Sequence, residues 1–410
     1  DLAGAPPAIV DAAYATRRFD LPRPMLPGAS LDLAFDLTLE RRGPRGDGED
    51  EDLVANGTYL HGLSLLPSVG YRRSWELVDE DERRRQGLPP RAAEETGDLD
   101  LPAGAGRMTF DVTVATPPDQ LPVAPGTLVS SSVEGGRRLS RFRAERPVTG
   151  YFSVASARYD VARVRHGGVD VEVFHHPGHT RNLARVLEAA TRALDYCAER
   201  YGAYPLPRLQ IAEVPSAALG AGGFALPGVV YLSEDRLFLV DADAPGRIDL
   251  LAKRVAHEVS HQWWGHQLAP APGPGAAALV ETLARHTELR VLAALRGPEA
   301  LPPVLDRERD RYLQGRAGRD EVPLVEVRDE PYIYYSKGAL AMAALVDLSG
   351  EEAVDGALRG LLESVRASGR APTARDLLDA LLRATPPERR PLVEEWWTRT
   401  GLPERQGSSR

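Results

Sequence analysis

The chain has 410 residues, of which 43% are hydrophobic and 27% charged, a composition typical of a folded globular protein. The length predicts two or three domains, each large enough to bury a core. The formal net charge of -9 argues against a nucleic-acid-binding surface, because neutralising phosphates needs clustered lysine and arginine.

The sequence has no apolar run that approaches the roughly 20 residues of a membrane-spanning helix, and it does not open with a signal peptide. Its single cysteine, Cys197, excludes an intramolecular disulfide and is expected to fill apolar space. Because the first residue is Asp1 rather than methionine, we expect a processed product or a piece of a longer protein, with any membrane anchor outside it.

The first third of the chain has the two-residue period of β-strands. Apolar and other residues alternate over 31–39, and the pattern recurs over 108–114 and 169–173. Between the first two of these, residues 76–100 are charged and interrupted by proline, which predicts an exposed loop. The pattern predicts an antiparallel β-sheet domain over residues 1–158.

After about residue 180 the period changes to that of helices. Apolar residues at three- and four-residue steps predict an amphipathic helix from Leu183 to Tyr201, ended by Gly202. Thr373 and Asp376 form a capping box before the last predicted helix. Further helices are predicted around 248–267, 278–295, 335–348, 351–367 and 374–384. The predicted fold class is α+β, with a mostly helical domain over residues 159–410.

The segment HEVSH carries the candidate chemistry. On a helix, residues four apart share a face, so His257 and His261 can direct ring nitrogens at one metal ion. Glu258 projects toward the same cavity without binding the ion. Zinc lowers the pKa of its bound water to about 7, and Glu258 can take that proton as the water attacks a carbonyl. The alternative is a surface helix with two ordinary histidines.

A third ligand is available downstream. Glu281 opens the next helical pattern after a turn rich in proline and glycine, where it can complete a site of two histidines and one glutamate. Glu288 lies seven residues further along the same face and could accept the second ring N–H of a ligand histidine. Taken alone, Glu288 could equally be a solvated helix carboxylate.

HEVSHQWWG followed by VETLARHTE resembles the gluzincin metallopeptidases of the aminopeptidase N type, which have a thermolysin-like catalytic domain. The resemblance implies one zinc ion bound by His257, His261 and Glu281, with Glu258 as general base and Glu288 behind a ligand histidine. It also implies a peptide substrate. Nineteen residues separate His261 from Glu281, one more than is usual in the family, and we expect the turn between them to absorb it.

The segment YYSKGALAM, residues 334–342, is similar to the family's Tyr-x-Lys-Gly segment. There the tyrosine donates a hydrogen bond to the oxyanion of the tetrahedral intermediate, and the resemblance gives that role to Tyr335. Such a donor acts only as charge develops, so it lowers the barrier rather than tightening substrate binding. Tyr332 and Tyr334 are expected to be packing residues.

The segment GGFALPG, residues 222–228, takes the place of the family's Gly-Ala-Met-Glu-Asn, whose backbone lines the substrate cleft and whose glutamate binds the substrate's α-amine. The residues expected to bind substrate are Gly222, Gly223, Phe224 and Ala225. Ala225 stands at the glutamate position, so the amine-binding carboxylate is missing. Three consequences stay open: Glu234, Glu213 or another carboxylate binds the amine, the enzyme cuts inside peptides, or turnover is lost.

Weaker similarities extend the resemblance toward a bacterial branch in which such a peptidase domain is fused to a transporter permease. They lie at residues 56–71, 76–77, 82–91 and 156–161. This branch implies an extracytoplasmic domain tethered by membrane segments outside the chain, and without it the expectation is cytoplasmic. The oligomeric state stays open.

Remaining histidines and tryptophans receive structural interpretations. A cluster of His175, His176 and His179 could bind metal, but its position after a strand, without an accompanying Glu or Cys, favours a polar turn. His266 is expected at the rim of the site. The tryptophans at 263 and 264 are expected to pack the zinc helix against the core.

These observations favour a zinc-dependent peptidase that uses an activated water. Aminopeptidase action is the first hypothesis, and endopeptidase action follows because of Ala225. The rival from another class is a non-catalytic sensing or binding domain of a transporter.

Overall fold

The computed structural model describes residues 1–11, 16–40, 53–54, 57–61, 67, 77, 80–90, 107–150, 152–216, 219, 222–242 and 248–403. The chain divides into two compact units, Asp1–Gly46 and Asp47–Arg410. The predicted domain boundary at residue 158 stays a prediction.

The first unit contains a two-stranded antiparallel sheet of β1 (Ile9–Asp11) and β2 (Thr16–Arg18). The strand predicted over residues 31–39 is wrong, because only Leu33 there forms an isolated bridge, to Leu2. Its alternating leucines are exposed. An alternating pattern becomes a strand only when a neighbouring strand binds its backbone, and the described residues supply none here.

The second unit begins with two antiparallel sheets. In the part that the structure describes, the sheet orders are β3-β4-β9-β6 and β5-β8-β7. The strands are β3 (Leu53–Val54), β4 (Gly57–His61), β5 (Arg107–Thr116), β6 (Leu121–Val123), β7 (Thr127–Glu134), β8 (Arg137–Thr149) and β9 (Ser153–Ala157). Strand β5 confirms the pattern at 108–114. The loop predicted over 76–100 contains a short helix, α1 (Glu80–Arg85), and much of it lies outside the described residues.

A mixed sheet follows, with the order β10-β11-β12-β14-β13. Its strands are β10 (Asp160–His166), β11 (Val169–His175), β12 (Arg208–Val214), β13 (Gly223–Leu226) and β14 (Val229–Ser233). Strands β11, β12 and β14 are parallel, and the two outer strands run antiparallel to their neighbours. Strand β13 is therefore the edge strand of this sheet in the part of the chain that the structure describes, a position at which another chain can pair.

Helices form the rest of the unit: α2 (Leu183–Tyr201), α3 (Leu250–Ser260), α4 (Leu283–Arg296), α5 (Leu301–Arg316), α6 (Gly338–Ser349), α7 (Glu351–Ser368), α8 (Ala374–Ala384) and α9 (Arg390–Thr398). The predicted helices are confirmed, although α3 ends at Ser260 rather than at 267. The capping box of Thr373 and Asp376 is present. Helix α5 was not predicted, because it buries few side chains and its apolar pattern is thin.

The core joins the mixed sheet to the helices, and the architecture is α+β as the sequence predicts. Trp263 and Trp264 are fully buried, as expected, and the Trp264 ring meets the Tyr201 ring at 4.7 Å between centroids. Cys197 is buried on the inner face of α2. None of the helices in the described part of the chain combines the length and the apolar character needed to cross a bilayer.

Candidate metal centre and active site

Three predicted ligands meet at one point. The Nε2 atoms of His257 and His261 are 3.2 Å apart. Glu281 places Oε2 at 3.2 Å from the first of these nitrogens and at 3.6 Å from the second. In a tetrahedral zinc site with bonds of about 2.0–2.1 Å, neighbouring ligand atoms are about 3.4 Å apart. The donor set and its spacing therefore fit a zinc ion.

Local structure brings these ligands together. Asp249 caps the N-terminus of helix α3, because its side chain accepts the backbone N–H of Ala252 at 2.9 Å. The two histidines lie near the other end of the helix. Helix α4 packs against α3 and is preceded by a π-helical turn, Ala278–Thr282, which carries Glu281. A π-helical turn holds about one residue more than an α-helical turn. The extra residue of the spacing therefore has a place in this turn, where the sequence had suggested only the proline-rich loop.

The second nitrogen of each histidine also lies near an oxygen atom. His257 Nδ1 lies 3.1 Å from Glu288 Oε2, and His261 Nδ1 donates to the carbonyl oxygen of Trp264 at 2.9 Å. A proton on Nδ1 leaves the Nε2 lone pair directed at the common point, as a metal ligand requires. Glu288 is only 1% exposed, so it is not the solvated helix carboxylate of the alternative interpretation.

Glu288 belongs to a buried network of charges. Arg285 donates to it at 2.8 Å, and Lys253 forms an ion pair with it. Burial alone would raise the pKa of Glu288, but these two cations hold that pKa well below its ordinary value. Glu308 lies 3.6 Å from Lys253 and extends the network. Glu288 therefore remains a carboxylate that can accept from His257.

The carboxylate of Glu281 is also kept ionised. Burial opposes this, but the neighbouring His261 and His257 lower the pKa of Glu281 to about 2. The side chain is therefore available as an anionic ligand over the whole ordinary pH range.

Glu258 lines the same cavity as the ligands. Among the described residues its carboxylate has no hydrogen bond or ion pair, although the side chain is only 4% exposed. Its position depends on Gly223 of β13, where an added Cβ would overlap the Glu258 carboxylate. A free carboxylate held beside the ligand cluster has the position that a general base needs.

Tyr335 lies beside the ligand cluster. It is carried by a second π-helical turn, Tyr332–Lys337, and its ring centroid is 6.0 Å from that of His257. Burial, followed by the nearby Glu281, raises the pKa of the Tyr335 phenol. The hydroxyl therefore keeps its proton and can donate it in a hydrogen bond.

The two π-helical turns are joined directly. The Thr282 hydroxyl donates to the Tyr334 carbonyl oxygen at 2.6 Å, and an added Cβ on Gly338 would overlap the Thr282 side chain. This close approach fixes the carboxylate of Glu281 relative to the phenol of Tyr335. Tyr334 packs its ring on Tyr335 at 4.7 Å.

A cavity of about 600 Å³ connects these groups. The zinc-ligand candidates, Glu258 and Tyr335 line it, and so do residues 223–225 of β13. Gly222 is not among the lining residues, and its part in substrate binding stays a prediction. Tyr332 lines the cavity in addition to packing against Tyr312, and His266 lies on the cavity wall. Burial lowers the pKa of His266 to about 3, so this wall residue is neutral.

The alternative amine-binding carboxylates lie elsewhere. Neither Glu213 nor Glu234 lines the cavity. Glu213 is fully buried, accepts from the His176 backbone N–H at 2.7 Å, and has Oε1 2.6 Å from His179 Nδ1. No glutamate accompanies the histidine cluster in its own segment of sequence, but the fold brings Glu213 of β12 beside it.

Comparisons with known proteins agree with this geometry. Residues 185–396 match the model described as the peptidase family M1 domain. Aminopeptidase M1 of Arabidopsis thaliana is 26% identical over 167 residues, which are 40% of this chain and 19% of that protein. Aminopeptidase N of Acetobacter pasteurianus is 26% identical over 165 residues, which are 39% of this chain and 46% of that protein. The matched region thus spans less than half of either relative.

The crystal structure of an M1 zinc metallopeptidase from Deinococcus radiodurans has the same fold. It superposes with a TM-score of 0.56 at 21% sequence identity, covering 73% of this chain and 67% of that one. The likeness supports the α+β architecture of β-sheets followed by a helical domain.

Proposed function

Because the chain belongs to peptidase family M1, we propose that it hydrolyses peptide bonds with the help of one zinc ion. The observation that carries the proposal is the cluster of His257, His261 and Glu281, whose ligand atoms all lie within 4.8 Å of one another. The unpartnered carboxylate of Glu258 shares their cavity. A binding domain without catalysis would not need such a carboxylate to be held free of partners.

The proposed roles follow from the contacts. His257, His261 and Glu281 would hold the zinc, which supplies a Lewis acid that lowers the pKa of water toward neutrality. Glu258 accepts a proton from the attacking water and passes it to the leaving amine. Tyr335 donates a hydrogen bond to the oxyanion. The outer edge of β13 can pair with the peptide backbone of the substrate.

Aminopeptidase action is the first choice, because the two relatives described above are both named aminopeptidases. Endopeptidase action is the alternative, since Ala225 brings a methyl group to the position where the family has the amine-binding glutamate. A digest of matched peptides with free and acetylated N-termini, read by mass spectrometry, separates the two. Cleavage that acetylation blocks identifies an aminopeptidase, and cleavage that it leaves unchanged identifies an endopeptidase.

Glu258→Gln tests the catalytic proposal. The amide cannot accept the proton, so we expect hydrolysis to fall by about 100- to 10,000-fold while zinc content, measured by metal analysis, stays that of the wild type. Undiminished hydrolysis in this variant would refute the role given to Glu258. A wild-type protein that binds zinc but cleaves no member of a peptide library would support the non-catalytic binding domain instead.

We further propose that the chain is an extracytoplasmic peptidase domain of a membrane-tethered protein, with residues 1–158 as an N-terminal β-rich domain. The support is the similarity of segments such as 82–91 and 156–161 to the permease-fused bacterial branch. Protease added to intact cells that express the full-length protein tests this. Digestion of the domain is expected, and protection in intact but not in lysed cells would contradict the placement.

A further inference from the structure

We propose that Arg254 forms a carboxylate-binding subsite in the catalytic cavity, so that the enzyme prefers peptides with an acidic side chain beside the cleaved bond. The inference rests on the proposed peptidase function and adds a substrate class to it. The shared chemistry is a substrate carboxylate, which an acidic side chain or a free C-terminus can supply.

Arg254 lines the cavity without a counter-ion. It lies on α3 and is partly buried, and in the described part of the chain its guanidinium has no hydrogen bond or ion pair. The other two arginines of the cavity wall are both paired: Arg285 donates to Glu288 at 2.8 Å and Arg311 to Glu308 at 3.0 Å. A partly buried guanidinium without an anion is unfavourable, and a carboxylate can bind it with two parallel hydrogen bonds.

The position of Arg254 relates it to the reacting bond. It precedes Glu258 by four residues on α3, so the two side chains share the cavity face about 6 Å apart along the helix axis. Both side chains line the cavity, so a substrate residue close to the bond that Glu258 serves can present a carboxylate to Arg254.

The edge strand approaches the same guanidinium. Its central carbon lies 3.7 Å from the point that a Cβ on Gly222 would occupy, and Gly222 has φ +85. This residue directly precedes β13, the strand with which a substrate backbone could pair. A peptide bound along that edge would present side chains to Arg254.

The charges of the cavity favour an anionic group. Arg285 and Arg311 are already paired, so among the described lining residues Arg254 is the cation left for an anion, against the carboxylates of Glu258 and Glu281. Zinc would engage Glu281, and Ala225 contributes no charge. Of the described residues that line the cavity, Glu258 is then the one left for a substrate ammonium, and the reaction needs it as a base. A carboxylate finds Arg254, which has no ion pair among those residues.

The first test uses the wild-type enzyme and pairs of peptides, all with amidated C-termini. The two peptides of a pair are identical except that one has Glu and the other Gln at a residue next to the cleaved bond, and both sides of the bond are tested. We expect kcat/KM to be about 10- to 100-fold higher for Glu at one of these positions, as for a hydrogen bond to a charged group. A further pair of peptides has neutral residues beside the cleaved bond and differs only in having a free or an amidated C-terminus. This pair tests the second source of the carboxylate.

Variants then assign the preference to Arg254. Arg254→Gln should reduce the Glu-to-Gln ratio to about one while the Gln peptide is still cleaved, since only the charged contact is lost. Arg254→Lys should keep part of the ratio, and Arg254→Glu should favour Lys at the same position. Arg307→Gln, on the exposed face of α5, is the matched control and should keep the wild-type ratio.

A binding measurement keeps the test independent of turnover. In the zinc-loaded Glu258→Gln protein, the Kd of the Glu peptide should be lower than that of the Gln peptide, and adding Arg254→Gln should remove the difference. No preference for either carboxylate source in the wild type, or a preference that survives in Arg254→Gln, would overturn the inference. Failure to cleave any peptide would refute the peptidase proposal instead, and these Kd values would still decide about Arg254.

Discussion

Gly223 determines where the carboxylate of Glu258, the proposed general base, can lie. An added Cβ at this residue would overlap the Glu258 side chain, so the carboxylate would have to shift from its present position. We therefore expect Gly223→Ala to lower kcat by about tenfold or more, since small displacements of catalytic groups are costly, while zinc content stays unchanged. Peptide hydrolysis and metal analysis on the same sample measure the two quantities.

Gly356→Ala is the control for this substitution. Gly356 lies within α7 and an added Cβ there meets nothing within 4 Å, so alanine should raise stability by up to about 1 kcal/mol and leave kcat as it is. If Gly223→Ala hydrolyses peptide as fast as this control, then Gly223 does not hold Glu258 in place.

Sequence spacing identifies side chains that act together on one helix face or on adjacent helices. The spacing predicted His257, His261, Glu281 and Glu288 as neighbours, and the structure brings these four together. The need for glycine at residue 223 could not be predicted, because it arises from the close approach of β13 to α3, a helix that comes later in the chain. It could also not be predicted that Arg254 has no ion pair among the described residues. Every arginine carries a charge, and only the side chains that surround it in the fold decide whether that charge is paired.

At the scale of elements, two π-helical turns place the groups that complete the site. One carries Glu281 and the other Tyr335, and the hydroxyl of Thr282 connects them. The sequence predicted helices at both places. It could not predict the π-helical turns, because hydrophobic periodicity does not distinguish a single π-helical turn from an α-helical turn.

Asp355 ties three helices together behind the site. It accepts from the hydroxyl of Tyr201 at 3.0 Å and from that of Tyr196 at 3.1 Å, both on α2, and lies 3.7 Å from His286 on α4. Burial alone would raise the pKa of Asp355, but His286 and the two tyrosines hold that pKa below its ordinary value. The charged form is therefore the one that stabilises the packing of α2, α4 and α7.

The direction of the pH dependence follows from this shift. A pKa that is lower in the folded state contributes stability above the unfolded value of about 3.9, and this contribution is lost as the pH falls through the folded value. We expect Asp355→Asn to lower the free energy of unfolding by about 1–3 kcal/mol near neutral pH, and the difference from wild type to narrow below about pH 4. Denaturant unfolding at a series of pH values measures it.

Asp379→Asn serves as the comparison, because Asp379 is exposed on α8. Its substitution should change stability by no more than about 0.5 kcal/mol at any pH. A difference between wild type and Asp355→Asn that does not change with acidification would show that the carboxylate charge contributes nothing to the joint between the helices.

For the whole molecule, the sequence predicted the order of structure along the chain but not its arrangement in space. The change from a two-residue to a helical period marked the passage from β-sheets to helices. It could not show that β13 follows β12 in sequence yet lies beyond β14 at the sheet edge, where it borders the cavity. Edge position is a property of strand order, and strand order depends on long-range pairing.

The dependence of strands on long-range pairing also explains why the alternating residues 31–39 do not form a strand. Their alternation is as regular as that of β5, but β5 has β8 beside it, whereas the described part of the first unit offers this segment a single bridge. Periodicity reports which side chains could share a face. It does not report whether a neighbouring strand is present.

The proposed hydrolysis depends on a zinc ion held by His257, His261 and Glu281, and a calorimetric titration of zinc into the metal-free protein tests this. We expect one zinc ion per chain, with peptide hydrolysis recovering in step with its binding. The loss of an outer hydrogen-bond partner weakens metal binding by roughly 10- to 100-fold. Glu281→Ala loses a ligand, and we expect it to weaken zinc binding by more than this. Hydrolysis that persists in verified metal-free protein would contradict the dependence on zinc. Wild-type zinc affinity in Glu281→Ala would contradict the role of Glu281 as a ligand.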